Sequence, residues 1–465
     1  MKRFHLIGIG GAGLSAIARV LLEQGHVVTG SDQRSSPPLE SLSEAGAQVW
    51  IGHQAEQVHG ADVVIRSSAI LDENVEVIAA QQRGIPVLKR DAFMRELTSE
   101  HYTIAVAGTH GKTTTTAMIA WILSSLGQQP SFIVGGVVNN LGTNAHAGKG
   151  QYFVVEADEY DYMFFGLNPQ IAVVTNVEHD HPDCFPSSDD FYAAFQGFAS
   201  RVADGGVLLA CADDAGAARL LGEAQTENRK TLSYGLEATW SDYRADELAL
   251  QPNGCFGFNA YYDGSFLDRV LLQVPGKHNV TNALAALAVA HYIELPIGKV
   301  ARTLKDFRGA GRRFEVCGEE GGVTVINDYA HHPTEIRATI AAARSRYPGR
   351  DLWVVWQPHT YSRTRTFFHE FATAFGEAHH VVVTEVYPAR EAVQPDFSSQ
   401  EVVRAMVNPE AFFIPTLDET TAFLLERLKD RDVLLVLSAG DADQVGYRLL
   451  QGLRKRRRGL QVEID

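Results

Sequence analysis

The chain has 465 residues, of which 45% are hydrophobic and 21% are charged, and its formal net charge is −15. At roughly 100 to 200 residues per domain this length predicts two to four domains, and the apolar content excludes a disordered chain. The acidic charge argues against nucleic-acid binding, so any anionic ligand needs local cationic side chains. The four cysteines form no C-x-x-C pair, and the sequence has neither an 18-residue apolar run nor the apolar core of a signal peptide. We therefore expect a cytoplasmic protein without disulfides or membrane partners.

The first segment of the chain has the pattern of a parallel α/β unit. An apolar run at Phe4–Ile7 precedes a glycine-rich turn, a helical pattern at Leu14–Gln24 and a second strand at Val27–Gly30, and this order predicts a βαβ unit. Gly8, Gly10 and Gly13 match G-x-G-x-x-G, and Asp32 follows the last of them by nineteen residues. Such a turn indicates a diphosphate at the helix amino terminus. It also leaves open an NAD-linked oxidoreductase, in which Asp32 would bind a ribose hydroxyl.

The second segment carries the strongest local motif. The strand Thr103–Ala107 runs into Gly108, Thr109, His110, Gly111, Lys112, Thr113 and Thr114, and a helical pattern follows to Leu126. This is G-x-x-G-K-T, shorter than the general P-loop pattern. We expect its backbone amides to hold phosphate, Lys112 to reach the β- and γ-phosphates, and Thr113 to bind Mg²⁺. Alternation and turn residues between positions 225 and 275 predict a small antiparallel insertion before a helix at Val280–Tyr292.

Two acidic clusters follow later strands of the same segment. They are Glu156–Glu159 after Tyr152–Val155, and Glu178–His181 after the strand that begins at Ile171. Ligands gather at the carboxyl ends of parallel strands, so both clusters are expected near the phosphate loop, where oxygen ligands suit Mg²⁺. The His179 and His181 spacing is weak evidence for zinc because no third soft ligand lies nearby. We interpret His179 as an ordinary hydrogen-bonded histidine.

The third segment repeats the strand and helix pattern. Strands are predicted at Val323–Asn327, Leu352–Trp356, Val381–Thr384 and Val433–Leu437, and helices at Pro333–Arg346 and Phe367–Glu377. Loops after the first two strands carry histidines and arginines, among them His359 and Arg363, which suit a carboxylate or phosphate because guanidinium forms bidentate bonds. Arg365 is equally well explained as a solvent-facing helix start. The basic run Arg454–Arg458 is interpreted as a solvated helix end.

Eight phrases in one order along the chain resemble the Mur ligases, which add amino acids to the peptidoglycan precursor. The phrases are G-I-G-G-A-G at 8–13, A-G-T-H-G-K-T-T-T-T at 107–116, E-A-D-E at 156–159, T-N-V-E-H-D-H at 175–181, P-G-K-H-N-V-T-N-A at 275–283, G-R-R-F-E at 311–315, D-Y-A-H-H-P-T-E at 328–335 and Q-P-H-T-Y-S-R-T at 357–364.

The resemblance implies an α/β fold of three domains. We expect a Rossmann-like domain for a UDP-sugar at 1–98, a central P-loop ATPase domain with a mostly parallel sheet at 99–310, and a Rossmann-like domain for the amino acid at 311–465. It also implies an ATP- and Mg²⁺-dependent ligase that joins L-alanine to the lactyl carboxylate of UDP-N-acetylmuramate through an acyl phosphate. Its partners would be small molecules, and the protein a monomer or a homodimer.

The resemblance further assigns individual residues by their motifs. Nucleotide-binding residues would be Gly108, Thr109, His110, Gly111, Lys112, Thr113, Thr114, His278, Asn279, Asn282, Arg313 and Asp328. Metal ligands would be Thr113, Glu156 and His181. The UDP-sugar would contact Gly10, Gly11, Ala12, Gly13, Ser31, Asp32, His53, Ser67, Ser68 and Ala69, and the segments around the incoming amino acid would contribute Tyr329, His331, His359 and Arg363. Catalytic residues would be Lys112, His181, His331, His359 and Arg363, and any of the three histidines is available as the base that receives the proton of the amine.

Two features depart from a simple match. Several Mur ligases carry a carbamylated lysine shortly after the D-H motif, but residues 182–203 contain no lysine, so that metal-bridging device is absent or replaced. The segment E-A-D-E-Y-D also resembles the tripeptide-recycling ligase of the same family, which is the alternative activity. The Q-P-H-T-Y-S-R-T loop is similar to the alanine-adding enzyme instead. We expect the alanine-adding activity and not the tripeptide-recycling one, because this loop lies where the amine should bind.

Overall fold

The structure is a computed structural model that describes residues 1–407 and 410–457. It contains three sheets, formed by residues 3–89, 102–275 and 315–413 together with 433–438. Three successive α/β units are therefore present, and the expected fold class is confirmed. The divisions at residues 98 and 310 remain our prediction. Arg458, the last residue of the predicted basic run, lies outside the described residues.

The N-terminal unit is a five-stranded parallel sheet with helices on its faces. Its strands run in the order β3-β2-β1-β4-β5, so the direction of winding reverses between β1 and β4, where ligands bind in open α/β sheets. Its elements are β1 Arg3–Ile7, α1 Ala12–Glu23, β2 Val27–Asp32, α2 Pro37–Glu44, β3 Gln48–Ile51, β4 Val63–Arg66, α3 Val75–Gln82, β5 Val87–Lys89 and α4 Arg90–Thr98.

The central unit is a ten-stranded sheet in the order β15-β14-β13-β12-β11-β10-β6-β9-β7-β8. Its elements are β6 Tyr102–Ala107, α5 Lys112–Ser125, β7 Ser131–Val138, β8 Thr143–His146, β9 Tyr152–Glu156, a kinked 3₁₀ segment Tyr160–Gly166, β10 Ile171–Val174, α6 Ser188–Ala199, β11 Val207–Cys211, α7 Ala215–Thr226, β12 Thr231–Gly235, β13 Tyr243–Leu250, β14 Cys255–Tyr262, β15 Ser265–Pro275, α8 Lys277–Tyr292 and α9 Ile297–Lys305. The predicted antiparallel strands are present as β13 to β15. They are not a separate insertion, because β13 pairs in parallel with β12 and so extends the main sheet.

The C-terminal unit is a six-stranded sheet in the order β16-β17-β21-β18-β19-β20, parallel except for β16. Its elements are β16 Glu315–Glu320, β17 Val323–Asp328, α10 Pro333–Arg346, β18 Leu352–Gln357, α11 Tyr361–Thr366, α12 Phe368–Thr373, β19 His380–Val383, α13 Gln400–Ala405, β20 Glu410–Phe413, α14 Leu417–Arg427, β21 Val433–Ser438 and α15 Asp443–Arg457.

One predicted helix of this unit is shorter than expected, and a second short helix precedes it. The sequence pattern predicted a helix at Phe367–Glu377 with Arg363 in the preceding loop, whereas the chain forms two short helices, α11 and α12, that meet at Phe367. Helix α11 begins early because the Glu391 carboxylate accepts the Tyr361 and Ser362 amides. Arg363 is therefore held on a helix, and its side chain has a fixed direction.

The apolar core is divided unevenly. One continuous cluster joins α1 and β1 of the N-terminal unit to the central sheet and its helices. The two faces of the C-terminal sheet form separate clusters. Among the helices that the structure describes, none combines the length and the apolar composition needed to cross a membrane.

Candidate active site

The phosphate loop lies between β6 and α5, as the motif predicts. Gly108 and Gly111 have φ of 137° and 79°, a region that favours glycine. A Cβ on Gly108 would lie 2.0 Å from Thr175 Oγ1, and one on Gly111 would lie 2.6 Å from Asn282 Oδ1. Both glycines are therefore required by backbone conformation and by close packing, and the loop presents the amino end of α5 as an anion site.

The loop lysine and the first threonine face the first acidic cluster. Lys112 Nζ donates to Glu159 Oε1 at 2.9 Å and to the Thr109 carbonyl at 3.0 Å. Thr113 Oγ1 donates to Glu156 Oε1 at 2.9 Å, and the Gly135 amide donates to Glu156 Oε2 at 2.6 Å. Burial raises the pKa of Glu156 more than the charge of Lys112 and these hydrogen bonds lower it. The predicted phosphate and metal residues are thus in contact with one another.

The predicted nucleotide-binding residues surround a cavity of about 300 Å³ between the central and C-terminal units. Asn279 and Asn282 project from α8, and Asn282 is hydrogen-bonded to Thr115 on α5. Asp328 ends β17, where its carboxylate accepts the Phe314 and Ala330 amides at 2.7 Å, and burial raises its pKa to about 6. The residues that the motifs assigned to the nucleotide and that line this cavity are His110, Gly111, Thr113, Thr114, His278, Asn279, Asn282, Arg313 and Asp328.

His110 connects the phosphate loop to the C-terminal unit. Its Nε2 lies 3.0 Å from Glu178 Oε2, and its Nδ1 lies 3.3 Å from Glu335 Oε1 on α10. Arg313 also pairs with Glu335, and Thr334 Oγ1 donates to Glu178 Oε1 at 2.8 Å. Burial lowers the pKa of His110, but the two carboxylates outweigh it and raise this pKa to about 9. The phosphate loop therefore carries an imidazolium whose counter-ions come from two units.

A second cavity of about 830 Å³ lies where the three units meet. It is lined by Ala12 and Arg19 from the N-terminal unit, by Lys112 from the central unit, and by several residues from the C-terminal unit. Those include the residues predicted for the amino acid, namely Tyr329, His331, His359 and Arg363. The cavity lining contains five arginines and Lys112, which can meet an anionic substrate, together with five carboxylates that include Glu156 and Glu159.

A buried ion pair organises this cavity. Arg363 Nε donates to Asp180 Oδ1 at 2.8 Å, and each side chain is 4% exposed. The other guanidinium nitrogens contact His359 Nδ1 at 3.1 Å and His181 Nδ1 at 3.3 Å. Arg363 thus joins the C-terminal unit to the D-H motif of the central unit.

The three histidines predicted as bases differ in the direction of their pKa shifts. Burial and the charge of Arg363 lower the pKa of His331 to about 3, and burial with His331 and Arg363 lowers that of His359 to about 2. Burial also opposes charge on His181, but Asp180 and Glu159 outweigh it and raise the His181 pKa. The sequence left open which of the three is the base, and their surroundings separate His181, whose pKa is raised, from His331 and His359, whose pKa values are lowered.

The glycine-rich turn of the N-terminal unit leads into α1. Gly11 and Ala12 are exposed, and no side chain caps this helix. Asp32 Oδ2 accepts the Gly10 amide at 2.9 Å, so this oxygen supports the turn. This contact of Asp32 with the backbone of the turn differs from the contact with a ribose hydroxyl that a dinucleotide site would require. The amino end of α1 is left open for an anion.

The remaining residues predicted for the UDP-sugar meet at the carboxyl ends of β1, β2 and β4. Ser31 Oγ donates to Glu76 Oε2 at 2.6 Å and contacts His53 Nδ1 at 2.9 Å. Ser67, Ser68 and Ala69 follow β4, and Ser67 lies against Gly8. Glu76, fully buried on α3, holds this cluster together.

The donors at the end of β9 fit the predicted magnesium ion. Thr113 and Glu156 offer oxygen ligands, which Mg²⁺ prefers, and Glu159 Oε2 nearby is buried without a hydrogen-bond partner. His181 Nε2 lies 3.6 Å from Glu159 Oε1. His179 instead contacts the Phe185 carbonyl at 2.9 Å, as an ordinary histidine would.

Within the described parts of the chain, one other group has metal-ligand spacing. His110, Glu178 and His332 bring ligand atoms within 4.8 Å of one another. Both ring nitrogens of His110 already face carboxylates. We therefore interpret this group as part of the ion-pair network.

The sequence patterns missed several charged residues of the site. Glu178 and Asp180 were expected near a magnesium ion and not in ion pairs with the C-terminal unit, and Glu335 was part of a motif without a role of its own. Asp183 and Arg390 form a further ion pair of 2.6 Å between the central and C-terminal units. No local pattern signals such pairs, because their partners lie far apart in the chain.

Three family models match the chain along most of its length. They are described as "Mur ligase family, catalytic domain" over residues 3–102, "Mur ligase middle domain" over 106–290 and "Mur ligase, glutamate ligase domain" over 312–440. Curated relatives include the UDP-N-acetylmuramate–L-alanine ligases of Caldanaerobacter subterraneus, 40% identical over 98% of both chains, and of a Roseiflexus species, 42% identical over 97% of this chain and 99% of that one.

Solved structures give the same result. The UDP-N-acetylmuramate–alanine ligase MurC of Thermotoga maritima has a TM-score of 0.83 at 27% identity, covering 98% of this chain and all of the other. A murein peptide ligase of Psychrobacter arcticus has a TM-score of 0.72 at 25% identity over the full length of both chains. The family models and relatives cover all three units, so the chain belongs to the Mur ligase family.

Proposed function

We propose that this protein is the ligase that joins L-alanine to the lactyl carboxylate of UDP-N-acetylmuramate, converting ATP to ADP and phosphate. The observation that carries the proposal is the shared cavity of about 830 Å³, because it brings together the phosphate loop, the amino end of α1 and the neutral histidines with Arg363. Relatives of that printed name, which are 40–42% identical over nearly the full chain, support the same substrates.

The first step makes the carboxylate reactive. A carboxylate oxygen of the sugar attacks the γ-phosphorus of ATP, the bond to the bridging oxygen breaks, and ADP leaves, so that an acyl phosphate forms. Lys112 then exchanges its contacts with loop carbonyls for the phosphoryl oxygens, where it offsets the developing negative charge. His110 adds a second positive charge to the same loop.

Thr113 and Glu156, with His181, would hold Mg²⁺ at the end of β9. Such an ion supplies charge neutralisation to phosphoryl oxygens. The other residues act independently of it, since Glu159 orients Lys112 and Asp180 orients Arg363.

In the second step the amine nitrogen of L-alanine attacks the acyl carbon. The tetrahedral intermediate collapses with loss of phosphate, the amine gives up a proton, and an amide bond remains. Arg363, which lines this cavity, would bind the carboxylate of the amino acid in exchange for its contact with a histidine. The lowered pKa values of His331 and His359 leave each with an unprotonated ring nitrogen that can take the proton, and His181 is left to the metal side of the site.

A panel of amino acids and the tripeptide tests this proposal directly. ATP, UDP-N-acetylmuramate and L-alanine should together release phosphate and give a product whose mass corresponds to one added alanine. A product formed only with the tripeptide would instead identify the recycling ligase. Reduction of NAD without phosphate release would restore the oxidoreductase alternative, and ATP binding without turnover in any mixture would indicate a nucleotide-binding regulator.

Lys112→Ala gives the matching variant test. Phosphate release should fall at least about a hundredfold, because a preorganised cation at the phosphate is lost, while UDP-sugar binding stays within twofold of the wild type. Retained ligase activity in this variant would contradict the role of the loop. Sedimentation of the same preparations would decide between the proposed monomer and homodimer.

A further inference from the structure

Arg90 is a cationic residue to which no sequence motif assigned a role. It lies between the glycine-rich turn before α1 and the acidic motif that follows β9. It is the first residue of α4, and its side chain is 19% exposed. Its Nη2 donates to Asp158 Oδ2 at 2.9 Å, so it reaches from the N-terminal unit to the E-A-D-E motif of the central unit. The guanidinium lines a cavity of about 130 Å³ with Ala12, Gly13 and Glu156.

The approach of Arg90 explains the last glycine of the N-terminal turn. Gly13 is the second residue of α1 and, unlike Gly8, does not have a positive φ. Glycine within a helix costs about 1 kcal/mol relative to alanine, so its backbone conformation gives no reason for a glycine here. A Cβ on Gly13 would lie 2.5 Å from Arg90 Nη1 and 3.2 Å from its Cδ. Gly13 therefore makes room for the guanidinium against the first turn of α1.

The guanidinium has unused hydrogen-bond capacity at this place. Arg90 Nε is buried and has no acceptor among the described residues, although a guanidinium offers five N–H donors. A buried charged donor without a partner is costly. The uncapped amino end of α1, whose Gly13 lies against this guanidinium, has no acidic residue in its first turn and attracts a negatively charged acceptor.

We propose that Arg90 binds the diphosphate of the sugar nucleotide together with the amino end of α1. This inference rests on the proposed function, since the diphosphate is that of the UDP-sugar. Asp158 orients the guanidinium, and two N–H groups on one side of a planar cation match two oxygens of a phosphate. Because Asp158 also belongs to the acidic motif near Lys112, the same contact aligns the sugar nucleotide with the ATP side.

Comparing the affinities for UDP, which carries a diphosphate, and for uridine, which does not, distinguishes a diphosphate-binding arginine from one that only forms an ion pair between the units. Titrations use the full chain as wild type, Arg90→Gln and Asp158→Asn, with thermal unfolding of each variant measured alongside. Arg90→Gln should weaken UDP binding at least tenfold and leave uridine binding within twofold. Asp158→Asn should leave UDP binding within threefold, since it removes the partner of the arginine but not the cation. Arg90→Lys, which keeps the charge without the bidentate geometry, should lie between Arg90→Gln and the wild type.

Two results would overturn the inference. One is wild-type affinity for UDP in Arg90→Gln. The other is an equal loss of UDP affinity in Arg90→Gln and Asp158→Asn, because an ion pair that only joins the units would be broken alike from either side. Failure of the wild-type protein to bind either UDP or uridine would contradict the proposed function itself, which is a separate outcome.

Discussion

The two junctions of this molecule are built from different interactions. The N-terminal and central units share one continuous apolar cluster, in which Ile17 of α1 lies beside Ile133 and Val134 of β7. Their backbones also meet closely, since a Cβ on Gly166 would lie 2.0 Å from the Asp91 carbonyl oxygen. The junction between the central and C-terminal units instead consists largely of ion pairs and hydrogen bonds around the active site.

This difference indicates which parts move. An apolar junction is insensitive to ligands, whereas a polar one can exchange its internal partners for substrate charges. Arg312 and Phe314, in the segment between the two units, have φ of 56° and 47°, which is a strained conformation for residues other than glycine. We therefore expect the first two units to form one rigid block onto which the C-terminal unit closes, excluding water from the acyl phosphate.

Breaking the buried ion pair should have the largest effect on the polar junction. Arg363→Ala leaves the buried Asp180 carboxylate without its arginine partner, and such a change typically costs about 3–5 kcal/mol. Hydrogen exchange should show increased opening of α11 and of the loop after β10, with the N-terminal unit unchanged. Arg390→Ala is the matched control at the same junction. It removes an exposed pair with Asp183 and should cost less than about 1 kcal/mol. Equal effects of the two variants would contradict the importance of burial.

The apolar junction should respond to loss of packing. Ile17→Ala is expected to destabilise the N-terminal unit by about 2–4 kcal/mol, because a buried side chain is replaced by a cavity, and to loosen it from the central unit. Val64→Ala, on the opposite face of the N-terminal sheet, should destabilise that unit without loosening the junction. Limited proteolysis near residues 97–101 distinguishes the two. Protection of this segment in both variants would mean that α1 does not hold the units together.

The pH dependence of the polar junction should be smaller but characteristic. The pKa of His110 is about 9, above its ordinary value of 6.5. Its ion pairs with Glu178 and Glu335 therefore contribute fully below pH 6.5 and are lost as the pH rises through 9. The expected loss of docking stability is at most about 3 kcal/mol. Hydrogen exchange at pH 6.5 and 9.5 should show this loss in the wild type and not in His110→Gln. If the docking stability of the wild type were the same at pH 6.5 and 9.5, a protonated His110 paired with both carboxylates would be ruled out.

The fold and the local motifs were predictable because their signals are local. Gly108–Thr114 lies between a strand and a helix, and this order alone fixes its place at the carboxyl edge of the sheet. The apolar runs of β6, β10 and β17 identify buried strands for the same reason. Helix α11 was missed because its start depends on Glu391, which lies 30 residues from Tyr361.

The charge network was not predictable because its partners are distant in sequence. Asp180 and Arg363 are separated by 183 residues, and Glu178 and Thr334 by 156. The same holds for the charge states of the histidines, since burial and neighbouring charges decide them. The role that we propose for Arg90 depends on its distance from Gly13, which only the folded chain defines.

The most direct test of the account follows oxygen atoms from the sugar to the phosphate. UDP-N-acetylmuramate labelled with ¹⁸O in its lactyl carboxylate should, after reaction with ATP and L-alanine, yield inorganic phosphate that carries one ¹⁸O atom, as measured by mass spectrometry. This result requires that the carboxylate oxygen becomes bonded to phosphorus at the phosphate loop. Amide product accompanied by unlabelled phosphate would contradict the acyl phosphate and the central claim with it.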